Sequence, residues 1–420
     1  MKLLELSVVA LYALMPIAIM SSETAPHWIF GAVLTACLGL LCQQKWSETR
    51  QTLDRYKVLL LCYCLPTAAV LVSSLAHRHW AGMDLARVLP LTLGLPLLLL
   101  ALPHFKRIDV HALRHYVWGI YGALLGATAY IVSLLPPYFR RPHTQVYNVV
   151  SYSNLMLLLA VLSLFSLRWS LTTRPQAERT IKIAITAIGV FGFILTQTRT
   201  GWLAIPLFAL ITVALMTEFK HPWRSVGILS GVLLLALALA ISSSRLRGRL
   251  HLGYDQLWSC LLQQPNADNN VCARIQLWRA AGDMFLENPA FGLGDSRKFA
   301  PKLKTEALPE GVVSPQVART LIEPHNDILY SLANFGVLGG LGLLLTYLAP
   351  TWIFVKRLHS RHPPPVRTAA AMGLAVSAGF VFLGLTEFMF HFGRTAAFYV
   401  MLVALFLALS EEGAASGHGE

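Results

Sequence analysis

Charge is what this sequence has little of: 13% of its 420 residues are Asp, Glu, Lys or Arg, where a soluble domain carries about 25%. With 55% hydrophobic residues and a mean hydropathy of +0.56, that shortage excludes an ordinary soluble globule and predicts a polytopic membrane protein. Acidic residues are the scarcer sign, 21 against 34 basic ones, and no Asp-x-Asp motif of the kind that holds a divalent cation occurs. No metal or other cofactor is expected. No internal repeat is strong enough to use, which weighs against a transporter or flippase built from inverted repeats. Cysteine is sparse too. Cys37, Cys42, Cys62 and Cys64 fall in or beside apolar runs, where a thiol serves as a small apolar side chain. Cys260 and Cys272 share the one long polar segment and would close a disulfide if that side of the membrane is oxidising.

What is present in abundance is the apolar run of membrane-crossing length, about 17–25 residues. Such runs recur near 4–20, 27–43, 57–76, 86–103, 112–135, 149–167, 181–197, 200–217, 223–243, 327–355, 368–387 and 393–410. Backbone polar groups cannot go unpaired in lipid, so uniformly apolar spans of this length are helices rather than barrel strands. The expected fold class is all-α with about twelve transmembrane helices. Residues 1–243 would carry helices one to nine, 244–326 a large loop with amphipathic helices, 327–410 helices ten to twelve, and 411–420 a short polar tail. The first run is followed directly by further spans and reads as a retained anchor rather than a cleaved signal.

The net charge of +13 follows topology. Lys45, Arg50, Arg55 and Lys57, then Lys106, Arg107 and Arg114, then Arg168, Arg174, Arg179 and Lys182, then Lys220 and Arg224, then Lys356, Arg357, Arg361 and Arg367 fall in alternate loops. The positive-inside rule puts those loops and both termini in the cytoplasm, and no nucleic-acid partner is implied. The opposite side holds Arg78, Arg140, Arg141 and Arg199, with Arg87 and Arg394 near span starts.

Three stretches stand out on that opposite, outer side. In "LTQTRTGWLA", Arg199 stands among Thr196, Gln197, Thr198 and Thr200, where the charge rule supplies no reason for a cation. It either meets lipid phosphates or holds a diphosphate. In "CARIQLWRAAGDMFLENP" a helical wheel gathers Gln276, Arg279, Asp283 and Glu287 on one side and Ile275, Leu277, Trp278, Ala281, Met284 and Phe285 on the other. Arg274 falls amid the apolar side, so it snorkels out to a carboxylate or turns a planar fork toward anionic oxygens. In "EPHNDILYSLANFGVLGG", Asp327, Tyr330, Ser331 and Asn334 recur at i, i+3, i+4 and i+7, a polar stripe that a membrane helix hides from lipid. Gly336, Gly339, Gly340 and Gly342 follow and permit close packing. Asn326 or Asp327 would cap this helix, which leaves His325 unexplained. Histidine is the side chain suited to move a proton near neutral pH.

Two arginines and a histidine over a membrane cavity suit displacement of a lipid diphosphate from a sugar: cations take the leaving group and a base takes the proton of the attacking hydroxyl. Glu323 or Asp327 would orient the second ring nitrogen of His325. The basic Arg245, Arg247, Arg249, Arg297, Lys298, Lys302 and Lys304 either attract acceptor phosphates or solvate the loop.

"TQTRTGWLA", "RIQLWRAAGDMFLENPAFGLG" and "EPHNDILYSLANFGVLGG", in this order and with one large outer loop before the last three spans, resemble the signature regions of the O-antigen ligase and O-antigen polymerase superfamily. The resemblance implies a metal-independent, inverting GT-C-type glycosyltransferase of the Gram-negative inner membrane. Its periplasmic face would move a polysaccharide from undecaprenyl diphosphate to a sugar hydroxyl of lipid A–core. By position Arg199 and Arg274 match the diphosphate-binding arginines and His325 the catalytic histidine, with Glu323, Asn326, Asp327 and Tyr330 in support. The length resembles a ligase more than a protein-modifying oligosaccharyltransferase. A polymerase differs in its acceptor alone.

Overall fold

The computed structural model describes residues 2–108, 110–135, 142–217, 227, 244–262, 265–359, 361–390 and 392–411. The run expected at 223–243, save Gly227, lies outside the described residues, as do Lys220, Arg224, Arg140, Arg141 and the tail beyond Glu411. Among the described residues every regular element is helical and no strand occurs. The helices are α1 (Lys2–Ser21), α2 (Ala25–Leu41), α3 (Trp46–Ala76), α4 (Gly82–Ile108), α5 (Val110–Arg114), α6 (Val117–Ser133), α7 (Val149–Phe165), α8 (Pro175–Leu195), α9 (Ile205–Thr217), α10 (Ser244–Leu262), α11 (Asn270–Glu287), α12 (Phe299–Lys302), α13 (Pro315–Thr320), α14 (Asp327–Arg357), α15 (Pro364–Gly384) and α16 (Gly393–Leu409).

Among the described residues six segments are long and apolar enough to cross a membrane: Trp46–Ala76, Gly82–Ala101, Ala112–Ser133, Val149–Arg168, Asp327–Arg357 and Pro364–Gly384. Shorter apolar helices cover Leu6–Ser21, Ala25–Leu41, Thr200–Met216 and Gly393–Leu409. The chain is therefore a multi-pass membrane protein. Its centre is α16, buried along its length, flanked by α4, α15 and α2. Beside it α7 is buried on nearly every side. A helix that is apolar all round finds its place inside the bundle, while α3, α4 and α14 keep leucines and valines on the outside.

Residues 244–326 form a second layer over one end of the bundle, here the loop face. It has a core of its own, built from Leu277, Ala281 and Met284 of α11 with Phe299, Leu303 and Val317, and keyed to the bundle by Ala333 of α14. Gln276 departs from the wheel: it is fully buried and spans the layer, donating to Ala267 O at 3.2 Å and accepting from Ser314 N at 2.7 Å. A buried amide is tolerated because both its ends are satisfied.

The glycine run in α14 does more than permit close packing. Gly336 leaves helical geometry at φ 65°, ψ −162°, a region open to glycine alone, and a Cβ there would come within 2.4 Å of Ala290 O. The freed backbone groups bond the "NPAFGLG" segment: Leu293 N donates to Ala333 O, Gly294 N to Asn334 O, and Val337 N to Pro289 O at 2.8–3.0 Å. The break thus docks the loop layer.

At the opposite face, basic residues assigned to loops are built in. Lys182 of α8 is buried, 2.6 Å from Glu178, and donates to Ser166 O and Trp169 O. Arg367 of α15 donates to Leu358 O and Leu215 O, each at 3.1 Å. Cations placed on the last carbonyls of helices satisfy acceptors that have no intrahelical donor.

Candidate active site

Arg199, Arg274 and His325 meet. They line one cavity of about 150 Å³ at the loop face, together with Val150, Gln197, Thr198, Thr200, Asn270, Ala273 and Leu321. Arg199 arrives from the turn between α8 and α9, where Thr196, Thr198 and the α7 residue Ser153 form a buried hydroxyl cluster that fixes the turn. Arg274 arrives from the first turns of α11, capped by Asn269, whose Oδ1 accepts from Val271 N and Cys272 N. The partial positive charge of that helix end adds to the cations. The Nε of Arg274 and Oγ1 of Thr200 are buried with no hydrogen-bond partner, an uncommon and costly state for polar atoms. Burial lowers the Arg274 pKa and the charge of Glu387 opposes that.

Gln197 and His325, both in the wall, hold positive φ, 55° and 48°. A side chain other than glycine in this region costs roughly 1–3 kcal/mol, so the surrounding contacts hold these two residues in place. For His325 the contacts are visible: Trp278 Nε1 donates to the carbonyl of the preceding Pro324 at 3.0 Å, and Asn326 starts α14.

The partner of His325 comes from outside the three outer-side stretches. Its Nδ1 lies 3.4 Å from Glu387 Oε1 and 4.0 Å from Glu323 Oε1. Glu387 is buried and also accepts from Asn148 Nδ2 at 2.8 Å. It falls at the end of the apolar run expected at 368–387; α15 instead ends at Gly384, and Glu387 stands in the turn before α16. The signal was available, since a carboxylate inside an apolar run marks a functional position by default. Burial by itself would lower the His325 pKa. The hydrogen bond and charge of Glu387, with the charge of Glu323, outweigh it and raise the value above that of free imidazole, while Arg274 opposes them. Burial pushes Glu387 the other way, yet His325, Asn148 and Arg274 hold its pKa below the ordinary glutamate value.

Asp327 does not orient the histidine. It is fully buried, accepts from Tyr347 OH at 2.7 Å and Phe390 N at 3.3 Å, and its Oδ2 would be 2.4 Å from a Cβ on Gly384. Asn326 caps α14 through Oδ1 and donates Nδ2 to Leu385 O at 3.0 Å. The two residues after the histidine therefore clasp both ends of the turn that carries Glu387.

Tyr330 also faces elsewhere. With Asp84, Arg87, Asp327 and Ser331 it borders a separate cavity of about 40 Å³. There Arg87 donates to Tyr330 OH at 2.7 Å, Asp84 Oδ1 at 3.1 Å and Ser296 Oγ at 3.2 Å. Phe388 packs on Tyr330, and through Arg87 and Ser296 the stripe ties α4 to the loop layer.

Among the other expected residues, Cys260 and Cys272 are joined in a disulfide with Cα atoms 5.4 Å apart, fastening α10 to α11. Arg297 pairs with Asp295 at 2.6 Å, and Lys302 with Glu287 and Glu306. With His79 and a backbone amide as further partners, Arg297 draws the Asp295 pKa down to about 2 despite partial burial. These cations are committed within the loop layer. As to metals, Glu323, His325 and Glu387 each bring one ligand atom within 4.8 Å of the others. Of these three donors Glu387 also accepts from Asn148 through Oε1, and the nearby Arg274 charge would oppose a metal cation there.

Residues 184–344, which span Arg199, Arg274 and His325, match the family model described as O-antigen ligase. The chain is also 26% identical over 173 residues to an uncharacterized protein of Haemophilus influenzae, covering 40% of this chain and 41% of that protein. The chain thus spans about two fifths of the length of that curated relative. Over residues 184–344 the chain is thus similar to the O-antigen ligase family.

Proposed function

We propose that this chain is an inverting, metal-independent glycosyltransferase of the GT-C type with twelve spans. It would ligate O-antigen polysaccharide from undecaprenyl diphosphate to a sugar hydroxyl of lipid A–core at the periplasmic face of the inner membrane, with both termini cytoplasmic. The observation that carries the proposal is the meeting of Arg199, Arg274 and His325 in one cavity, with Arg274 Nε buried and unpartnered.

In this scheme the donor diphosphate enters the cationic side, where guanidinium forks suit its oxygens. Nδ1–H of His325 is donated to Glu387, so Nε2 keeps its lone pair and faces the acceptor. The acceptor hydroxyl attacks the anomeric carbon from the side opposite the diphosphate, and its proton passes to Nε2. The bond from that carbon to the diphosphate oxygen breaks with its electron pair, and undecaprenyl diphosphate leaves with its growing charge on Arg199 and Arg274. Glu387 touches no reacting atom; it is a positioning residue that strengthens the base and stabilises the imidazolium.

The test is glycan transfer by purified protein given lipid-linked polysaccharide and lipid A–core. Product on lipid A–core, lost in His325→Ala while donor binding persists, supports the proposal. Unimpaired turnover in that variant overturns the base assignment. Elongation of the lipid-linked glycan with lipid A–core untouched would make the chain a polymerase.

A further inference from the structure

Helix α10 carries an apolar face that nothing in the described chain covers. Tyr254, Leu257, Trp258, Leu261 and Leu262 fall at i, i+3, i+4, i+7 and i+8, the stripe of an amphipathic helix, and all five are between 42% and 64% exposed. The rings of Tyr254 and Trp258 stack with centroids 6.1 Å apart. The other side of the helix is fixed to the protein. Cys260 is bonded to Cys272 of α11, and a Cβ on Gly253 would come within 2.6 Å of the Arg199 guanidinium. The stripe is therefore directed away from the layer that holds the helix.

Four observations say what covers it. In sequence α10 follows the apolar run 223–243 without a linker, so at 1.5 Å per residue Tyr254 stands only about 15 Å along the helix from its start. Tyr and Trp are the residues that settle where hydrocarbon meets headgroups. Arg245, Arg247 and Arg249 occupy the first turns, where lipid phosphates would attract them. Finally, five side chains of one helix present less surface than the roughly 800 Å² per partner that a stable protein interface buries.

We propose that α10 is an interfacial helix: it lies along the surface of the bilayer that the protein spans, with the Tyr254–Leu262 stripe seated among phospholipid headgroups and upper acyl chains. The lipid surface then backs the helix that closes over Arg199.

The experiment uses the full chain in nanodiscs of phosphatidylethanolamine and phosphatidylglycerol, with part of the lipid replaced by phosphatidylcholine brominated high or low on its acyl chains. The Trp258 signal is the difference between the native chain and Trp258→Phe, a change on an exposed ring that leaves the fold intact. The proposal expects at least twofold quenching of that difference signal by bromines high on the chains, weaker quenching by bromines placed deep, and protection from aqueous iodide. Quenching by iodide with none by brominated lipid would overturn it, because the helix would then stand in water. A complementary variant, Leu257→Glu with Leu261→Glu, should abolish the lipid quenching while the particle mass stays the same. A halving of the protein mass in that variant would assign the stripe to a second copy and also overturn the proposal.

Discussion

The two cavities on either side of the turn before α16 are built from similar parts and arranged for opposite ends. Each has arginine in its wall and a carboxylate at hand, Asp84 in one and Glu387 behind His325 in the other, and each draws on the first turn of α14 or the residues just before it. Around Arg87 the charges answer one another: Asp84, Tyr330 and Ser296 accept from the guanidinium, and Ser296 N donates to the other oxygen of Asp84 at 2.9 Å. Around Arg274 polar atoms are buried without partners and two wall residues hold strained backbone. The difference teaches that an arginine at this end of the bundle announces a ligand only when its surroundings leave it incomplete. A satisfied one is a strut.

If that contrast holds, the largest loss belongs to His325→Ala, with transfer falling by about 10²–10⁴-fold in the lipid A–core assay while the protein stays folded. Arg274→Ala should follow at about 10²–10³-fold, the scale of losing one group that stabilises developing charge, and Arg274→Lys should restore part of it because the charge returns without the fork. Glu387→Gln sharpens the comparison through pH. Glu387 raises the His325 pKa, so removing its charge lowers that pKa, the neutral base persists into more acidic solution, and the acid limb of the rate profile moves to lower pH. Maximal turnover should fall as well, since the imidazolium loses its partner. Gly336→Ala should lower thermal stability by about 1–3 kcal/mol, the strain of its backbone region, read as a drop in Tm in detergent. The smallest catalytic effect is expected on the paired side: Arg87→Ala should cost about 1–3 kcal/mol of stability through lost charged hydrogen bonds but change turnover only a few-fold. A collapse of turnover in a folded Arg87→Ala protein would break the contrast.

Much of the candidate site was legible in the sequence because its residues offend local rules. Arg199 stands where the charge rule asks for no cation, Arg274 sits on an apolar wheel face, and His325 remains after capping is accounted for. All three line the cavity. Glu387 was hidden because hydropathy averages over a window, and two phenylalanines and a methionine beside it outweigh one carboxylate. The work of Asp327 was hidden for another reason: its partners, Tyr347 and the amide of Phe390, are brought to it by tertiary packing alone. Gly336 looked like one more small residue in a packing run, since a composition of glycines does not say which of them leaves the helix. Gln276, placed by the wheel on the polar side, turns inward instead, because the loop layer supplies it with both a donor and an acceptor.

The clasp between Asn326–Asp327 and the turn at 385–390 has a consequence for how the protein is made. His325 and the carboxylate that polarises it lie 62 residues apart, and the intervening chain is α14 and α15, so two whole membrane insertions separate the base from its partner. A nascent chain threaded as far as α14 already owns both arginines and the histidine but has no Glu387 to hold the imidazole. On the proposed mechanism, competence would then wait for the last hairpin of helices, α15 and α16, to bring the turn at 385–390 to Asn326 and Asp327.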